Sequence, residues 1–270
     1  MSRRAVPKAN PSVRSTEGTP VSRSECLLQL HAVRKAFGGV AANDGIDLVV
    51  NAGAIVGLIG PNGSGKTTLF NGVTGLAGFD SGRVIFDGHD IASLGAAAIA
   101  RSGLLRTFQQ AGVYSGLSCL QCMLVSRDRR GETLAAMWRK PDPGEQMRAL
   151  ELLDTVGLRP AKHQLAGDLS YGQRKLLEFA MAMMHKPRLL LLDEPTAGVS
   201  PTLIPLLVAQ LRAANARLGV TLLVIEHNMQ VIMDLAQEVY CLAQGRVLAS
   251  GSPAQVRADA RVVQAYLGGA

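Results

Sequence analysis

The chain has 270 residues, of which 47% are hydrophobic and 18% charged, with a formal net charge of +7. That is enough apolar material for one or two packed domains, and it excludes a chain disordered throughout. The longest apolar runs, such as LLLL at 189–192 and LLVI at 222–225, fall well short of the roughly 18 residues that span a bilayer. Four cysteines in so long a chain make no disulfide framework and point to a reducing compartment.

Residues 1–24 are rich in Arg, Ser, Pro and Thr and almost free of apolar side chains, so they read as a disordered basic tail without the hydrophobic stretch of a signal peptide. Their charge is compatible with nucleic acid or an anionic membrane surface, but a solvated tail is the favoured reading. From 26 to 94 short strands alternate with turns: CLLQLHAVRKAF, GIDLVV, AIVGLIG, and RVIFDGHDI folded at Asp87-Gly88.

Within that part, GPNGSGKTT at 60–68 follows an apolar strand and opens a helix, the setting a P-loop requires. Gly60, Gly63 and Gly65 let the backbone form a nest of N–H groups for phosphate oxygens, with Asn62, Ser64 and Thr68 completing the nucleotide contacts. Lys66 reaches the β- and γ-phosphates, and Thr67 ligates Mg²⁺.

The pattern turns helical from about 95 to 185, with breaks at PDPG (141–144) and His185-Lys186-Pro187. RTFQQ at 106–110 offers a glutamine able to contact water or Mg²⁺, but by its own chemistry it is an ordinary polar residue. CLQC at 119–122 has two of the four ligands zinc needs and no second Cys or His pair at matching spacing, so it is read as a core or surface pair without metal. LSYGQRKLLEFA at 169–180 begins a helix, with Ser170 as N-cap and Gln173 completing a capping box. Leu176, Leu177, Ala180 and Met183 follow at helical spacing, and such a helix start is also an anion site.

Then RLLLLDE and VTLLVIE alternate with the helices LIPLLVAQLRAANARLG and MQVIMDLAQ, the pattern of a parallel sheet covered on both faces. Asp193 and Glu194 end the first of these strands, at the carboxyl edge where ligands of such sheets sit. The aspartate suits Mg²⁺, and the glutamate can hold a water in line with a γ-phosphate and take its proton. His227, just past the second strand, lands on the same edge and reads as a γ-phosphate contact. VYCLAQGRVLAS forms a hairpin, and Ser252-Pro253 opens a last helix.

The order P-loop, FQ, LSYGQ, LLLLDEP and a histidine after the next strand resembles the ATP-binding cassette of ABC transporters over nearly all of 26–267. The resemblance implies an α/β P-loop NTPase of RecA-like type, with a parallel-sheet core, an N-terminal antiparallel β subdomain and an inserted α-helical subdomain. The cassette would occupy 25–268 as a single domain, with the helical signature subdomain over about 95–185. It also implies ATP and Mg²⁺ as cofactors, Glu194, His227 and Gln109 as catalytic, and Thr67, Gln109 and Asp193 at the metal. Phe37 would stack on adenine. Gln109 would sense Mg²⁺ and meet the membrane subunits, with Gln110 the alternative in register. Ser170, Gly172 and Gln173 would complete the ATP site of a neighbouring subunit. Ser200 stands where the family usually has an aspartate.

A finer resemblance, carried by GLLRTFQ, SYGQRKLLEFA, DEPTAGVSP, IEHNMQVIMDLAQEVYCLAQGRVLASGSPAQV and VVQAYLG, is to the importer ATPases for branched-chain amino acids. ATPases of urea uptake and lipopolysaccharide export share much of it. The rival class is a soluble cassette protein acting on nucleic acid or ribosomes, against which the single compact cassette counts. The implied partners are a second ATPase subunit, identical or paralogous, transmembrane permease subunits and, indirectly, a solute-binding protein, with no nucleic acid. The implied location is peripheral, on the cytoplasmic side of the inner membrane.

Overall fold

The computed structural model describes residues 26–107, 112–127 and 142–267. The basic tail, Gln109 and Gln110 lie outside these described residues. β1 (Cys26–Phe37) and β2 (Val40–Asn51) form an antiparallel hairpin. Along them Leu28, Leu30, Val33, Ile46, Leu48 and Val50 are buried, the alternation of strands with one wet face. β3 (Ile55–Ile59) leads through the P-loop into α1 (Lys66–Val73), and the chain returns as β4 (Ser81–Phe86) and β5 (His89–Asp90). The first sheet has the order β2-β1-β4-β5.

The second sheet is built on strands buried at every position: β3, β7 (Leu189–Asp193) and β8 (Thr221–Ile225). Its order is β10-β9-β3-β8-β7-β6, all parallel except β10 (Arg246–Gly251), which folds back on β9 (Glu238–Ala243). The continuous apolar runs are explained by which way successive residues face. Val56, Leu58, Leu189, Leu191, Leu223 and Ile225 join one core, with α1 and the antiparallel sheet. Ile55, Ile59, Leu190, Leu192, Leu222 and Val224 join the other, with the helices. A strand between two cores leaves polar side chains only its ends, Asp193 on β7 and Thr221 on β8.

α2 (Ala96–Arg101) adds Ile99 to the first core, and the helices of the second include α3 (Cys119–Val125), α4 (Pro143–Thr155), α5 (Tyr171–Met183), α6 (Ile204–Leu218) and α7 (Met229–Leu235). The stretch from 95 reads as helical, yet it gives one strand to the core: β6 (Leu104–Arg106) pairs in parallel with β7. Three residues carry no periodicity to recognise, and Gly103, at φ 99°, turns the chain onto the sheet edge. The last helix is two helices, α8 (Pro253–Ala258) and α9 (Ala260–Leu267). Ser252 caps the first through a capping box with Gln255. Asp259 stands extended between the two, its carboxylate accepting from the Arg261 N–H at 2.8 Å.

Candidate active site

The sheet register brings the site together. Leu58, Ile225 and Asp193 lie in one row across β3, β8 and β7, so the next residues, Gly60 after Ile59, Glu194 and Glu226, emerge on the same carboxyl edge. The P-loop starts there. Gly60 has φ 146° and Gly65 φ 101°, and a Cβ at Gly65 would stand 2.1 Å from the Ala42 carbonyl oxygen, so glycine is required by conformation and by space.

Lys66 is 5% exposed and folds back over the loop. Its Nζ donates to the carbonyl oxygens of Gly60 (2.7 Å) and Pro61 (3.0 Å) and to Ser64 Oγ (3.3 Å). Burial pushes its pKa below the ordinary lysine range, while Glu194, Cys241 and Asp193 pull it back up. A partly desolvated cation beside freed backbone N–H groups seeks an anion. Thr67 is exposed in the first turn of α1, next to Lys66, and Thr68 is half-buried.

Asp193 is 1% exposed. Its Oδ2 is ion-paired with Arg106, whose other amine donates to Asn71 Oδ1 at 2.6 Å and whose guanidinium lies 5.6 Å from the centre of the Phe70 ring. Asp193 Oδ1 is buried with no hydrogen-bond partner among the described residues. Glu194 stands beside it in the left-handed region, at φ 50°. Its N–H donates to Ile225 O at 2.9 Å, and its Oε1 lies 2.7 Å from His227 Nε2. The turn after it is pinned by Glu226, which accepts from the Thr196 N–H (2.8 Å) and hydroxyl (2.7 Å) and from the His227 N–H (3.2 Å).

Gly60, Lys66, Asp193, Glu194 and His227 thus share one edge. Phe37 ends β1, 54% exposed, with Lys35 Nζ 5.4 Å from its ring centre: an open aromatic face. Ser170 and Gln173 are exposed at the start of α5 and bond each other, Ser170 Oγ accepting from the Gln173 N–H and Gln173 Oε1 from the Ser170 N–H. Gly172 is buried, and a Cβ there would stand 3.3 Å from Val199. Among the described residues no hydrogen bond joins these three to the P-loop. Ser200 is exposed, its hydroxyl 3.0 Å from that of Thr202. Cys119 and Cys122 are buried core residues whose thiols are pushed up by burial.

Three contributors escaped the reading of the sequence: Arg106, Glu226 with Thr196, and Tyr266, whose hydroxyl accepts from the Gly60 N–H at 2.8 Å. Glu226 had a signal, a charge directly after the apolar run LLVI. Arg106 and Tyr266 had none, because their partners lie 87 and 206 residues away.

A glycine nest opening a helix, a buried lysine folded over it and two successive carboxylates at the end of a neighbouring strand define a P-loop nucleoside triphosphatase. The chain belongs to the ABC transporter family: the family's model matches residues 43–197, and that of the branched-chain amino acid ATP-binding cassette transporter matches 246–270. It is a nucleotide-binding, ATP-hydrolysing subunit. It is 37% identical over 255 residues to the high-affinity branched-chain amino acid transport ATP-binding protein BraF of Pseudomonas aeruginosa, covering 91% of this chain and 99% of the relative. Its identity to LivG of Escherichia coli K12, a protein described in the same words, is 34% with the same coverage. Among solved structures it is similar to the ADP conformation of MJ1267, an ATP-binding cassette of an ABC transporter. The TM-score is 0.81 at 32% identity, over 90% of this chain and 99% of that one. A nucleotide-free cassette from an ABC transporter gives 0.78 at 32% identity, over 89% and 98%.

Proposed function

We propose that the chain powers import of branched-chain or other hydrophobic amino acids, as one of two ATPase subunits docked on transmembrane permease subunits at the cytoplasmic face of the inner membrane. A solute-binding protein delivers the cargo. The likeness to BraF and LivG over 99% of their length supports the cargo. Among the described residues no helix is long and apolar enough to cross a membrane. The region around Gln109, with the helical part beside it, is the face that meets the permease.

The observation that carries the assembly is the split of the site. Lys66, Asp193, Glu194 and His227 converge on one edge, while a second anion-seeking helix start, that of α5, presents an exposed Ser170 and Gln173. In a pair of subunits facing head to tail, each α5 completes the other's site. Within a site, Lys66 exchanges the Gly60 and Pro61 carbonyls for phosphate oxygens, Phe37 lies against the adenine, and Asn62, Gly63, Ser64, Gly65 and Thr68 surround the phosphates. The unpartnered Oδ1 of Asp193 is a hard anionic donor at the strand end and fits Mg²⁺. Thr67 and Gln109 complete the set that would hold it, and the ion neutralises charge on the phosphate oxygens when bound. Glu194 orients the attacking water and takes its proton, and His227, already against that carboxylate, turns to the γ-phosphate.

Cells lacking the gene should lose high-affinity uptake of labelled leucine, isoleucine and valine. The wild-type gene should restore it and Glu194→Gln should not. Uptake of all three unchanged by the deletion would remove the cargo assignment.

A further inference from the structure

We propose that Tyr266, on the last helix, is a positioning residue for the P-loop: its hydroxyl holds Gly60 by the N–H while Lys66 holds the same residue by its carbonyl, so that docking of α9 and binding of nucleotide reinforce each other. The proposal rests on the reading of residues 60–68 as the phosphate cradle.

Gly60 is where the sheet ends and the cradle begins. The last pair of the β3–β9 ladder is Ile59 with Cys241, so the Gly60 N–H lies beyond it, and a backbone donor at a buried strand end needs a partner. Tyr266 supplies one at 2.8 Å, while Lys66 Nζ sits 2.7 Å from the carbonyl oxygen of the same residue. Gly60 has no freedom to find another arrangement. At φ 146° it is wedged against β9, where a Cβ would stand 2.2 Å from the Leu242 carbonyl oxygen.

α9 is well seated to act as an anchor. Val262 is buried in the larger core, and Asp259 ties down the start of the helix through Arg261. Burial raises the Tyr266 phenol to about 12, so the hydroxyl stays protonated in neutral solution. Beyond Gly60 the loop and the helix part around a cavity of about 600 Å³, lined by Asn62 and Ser64 on one side and Arg261 and Gln264 on the other. The contact is therefore a point anchor at the strand exit and leaves the rest of the cradle room to adjust.

When phosphate draws Lys66 away, the Gly60 carbonyl loses its cation, and Tyr266 becomes the remaining side-chain hold on that residue among the described residues. The bond then matters more with nucleotide bound than without, and a coupling of this kind is reciprocal. Tyr266 falls in the segment 246–270 matched by the branched-chain family model, beyond the general cassette model, which ends at 197.

The test uses the full chain in the Glu194→Gln background, with ATP as the probe. Tyr266→Phe, which keeps the ring and deletes the hydroxyl, should weaken ATP binding about three- to tenfold, the scale of one hydrogen bond. Gln264→Ala, on the same helix, should leave affinity unchanged. Hydrogen exchange of the amides of 260–267 should slow when ATP binds, and Tyr266→Phe should abolish that slowing, which a merely structural role would not do. Unchanged ATP affinity in Tyr266→Phe, or exchange in α9 indifferent to ATP in the parent, would overturn the proposal. Failure of the parent itself to bind ATP would overturn the cradle reading and this proposal with it.

Discussion

Glu194 occupies a backbone conformation that costs a non-glycine residue of order 1–3 kcal/mol, and the structure shows what holds it there. Its N–H is tied to β8 through Ile225, its carboxylate meets His227, and the following turn is pinned by Glu226 on Thr196. The left-handed kink lets Asp193 and Glu194, neighbours in the chain, do different things: one is buried against Arg106, the other half-exposed at the mouth of the site. Glu194→Gln should therefore bind ATP as the wild type does, since the P-loop is untouched. Hydrolysis should fall by about 10²- to 10⁴-fold, because an amide cannot take the proton of the water. Equilibrium ATP binding and phosphate release on the same preparation check the two halves, and hydrolysis at the wild-type rate would remove Glu194 from the role of base.

β6 shows what one short element contributes. By pairing with β7 it carries Arg106 to Asp193, and through Asn71 and Phe70 the same guanidinium reaches α1. Strand β7 and the P-loop helix thus share one buried cation. Arg106→Met should destabilise the fold by about 3–5 kcal/mol, since it strands a carboxylate in the interior. Adding Asp193→Asn to it should recover part of that loss, because no uncompensated charge then remains buried. Urea unfolding of both single variants and the double variant measures the coupling. A double variant as unstable as the sum of the singles would show that the ion pair carries no net interaction.

The whole molecule raises the question of whether LSYGQ serves its own nucleotide or a neighbour's. Ser170→Arg places a bulky cation at the exposed start of α5, and Glu194→Gln removes the carboxylate proposed as the base, so either homodimer should be inactive. In a mixed dimer with shared sites, one site carries both defects and the other neither, and hydrolysis should partly return. ATPase rate against mixing ratio, with a single-chain fusion of the two variants to enforce pairing, measures the recovery. A fusion as inactive as the two homodimers, beside an active wild-type fusion, would show that the helix acts within its own chain.

Much of this molecule is legible in its sequence because the decisive signals are local. Glycine spacing after an apolar strand marks the P-loop, a serine three residues before a glutamine marks the start of α5, and Asp87-Gly88 and Gln244-Gly245 mark hairpin turns whose residues all have positive φ. The apolar runs at β7 and β8 announce strands buried on both faces, and their ends place Asp193, Glu194 and His227 on one edge. What depends on distance along the chain had to wait for the fold. β6 is too short to show a period, Arg106 finds Asp193 across 87 residues, and Tyr266 reaches Gly60 across 206. A residue's local pattern sets its backbone and which way its side chain faces, but the partner of a buried charge or a strand-end amide is whatever group the packed sheet brings within about 3 Å. Only the tertiary structure could decide that.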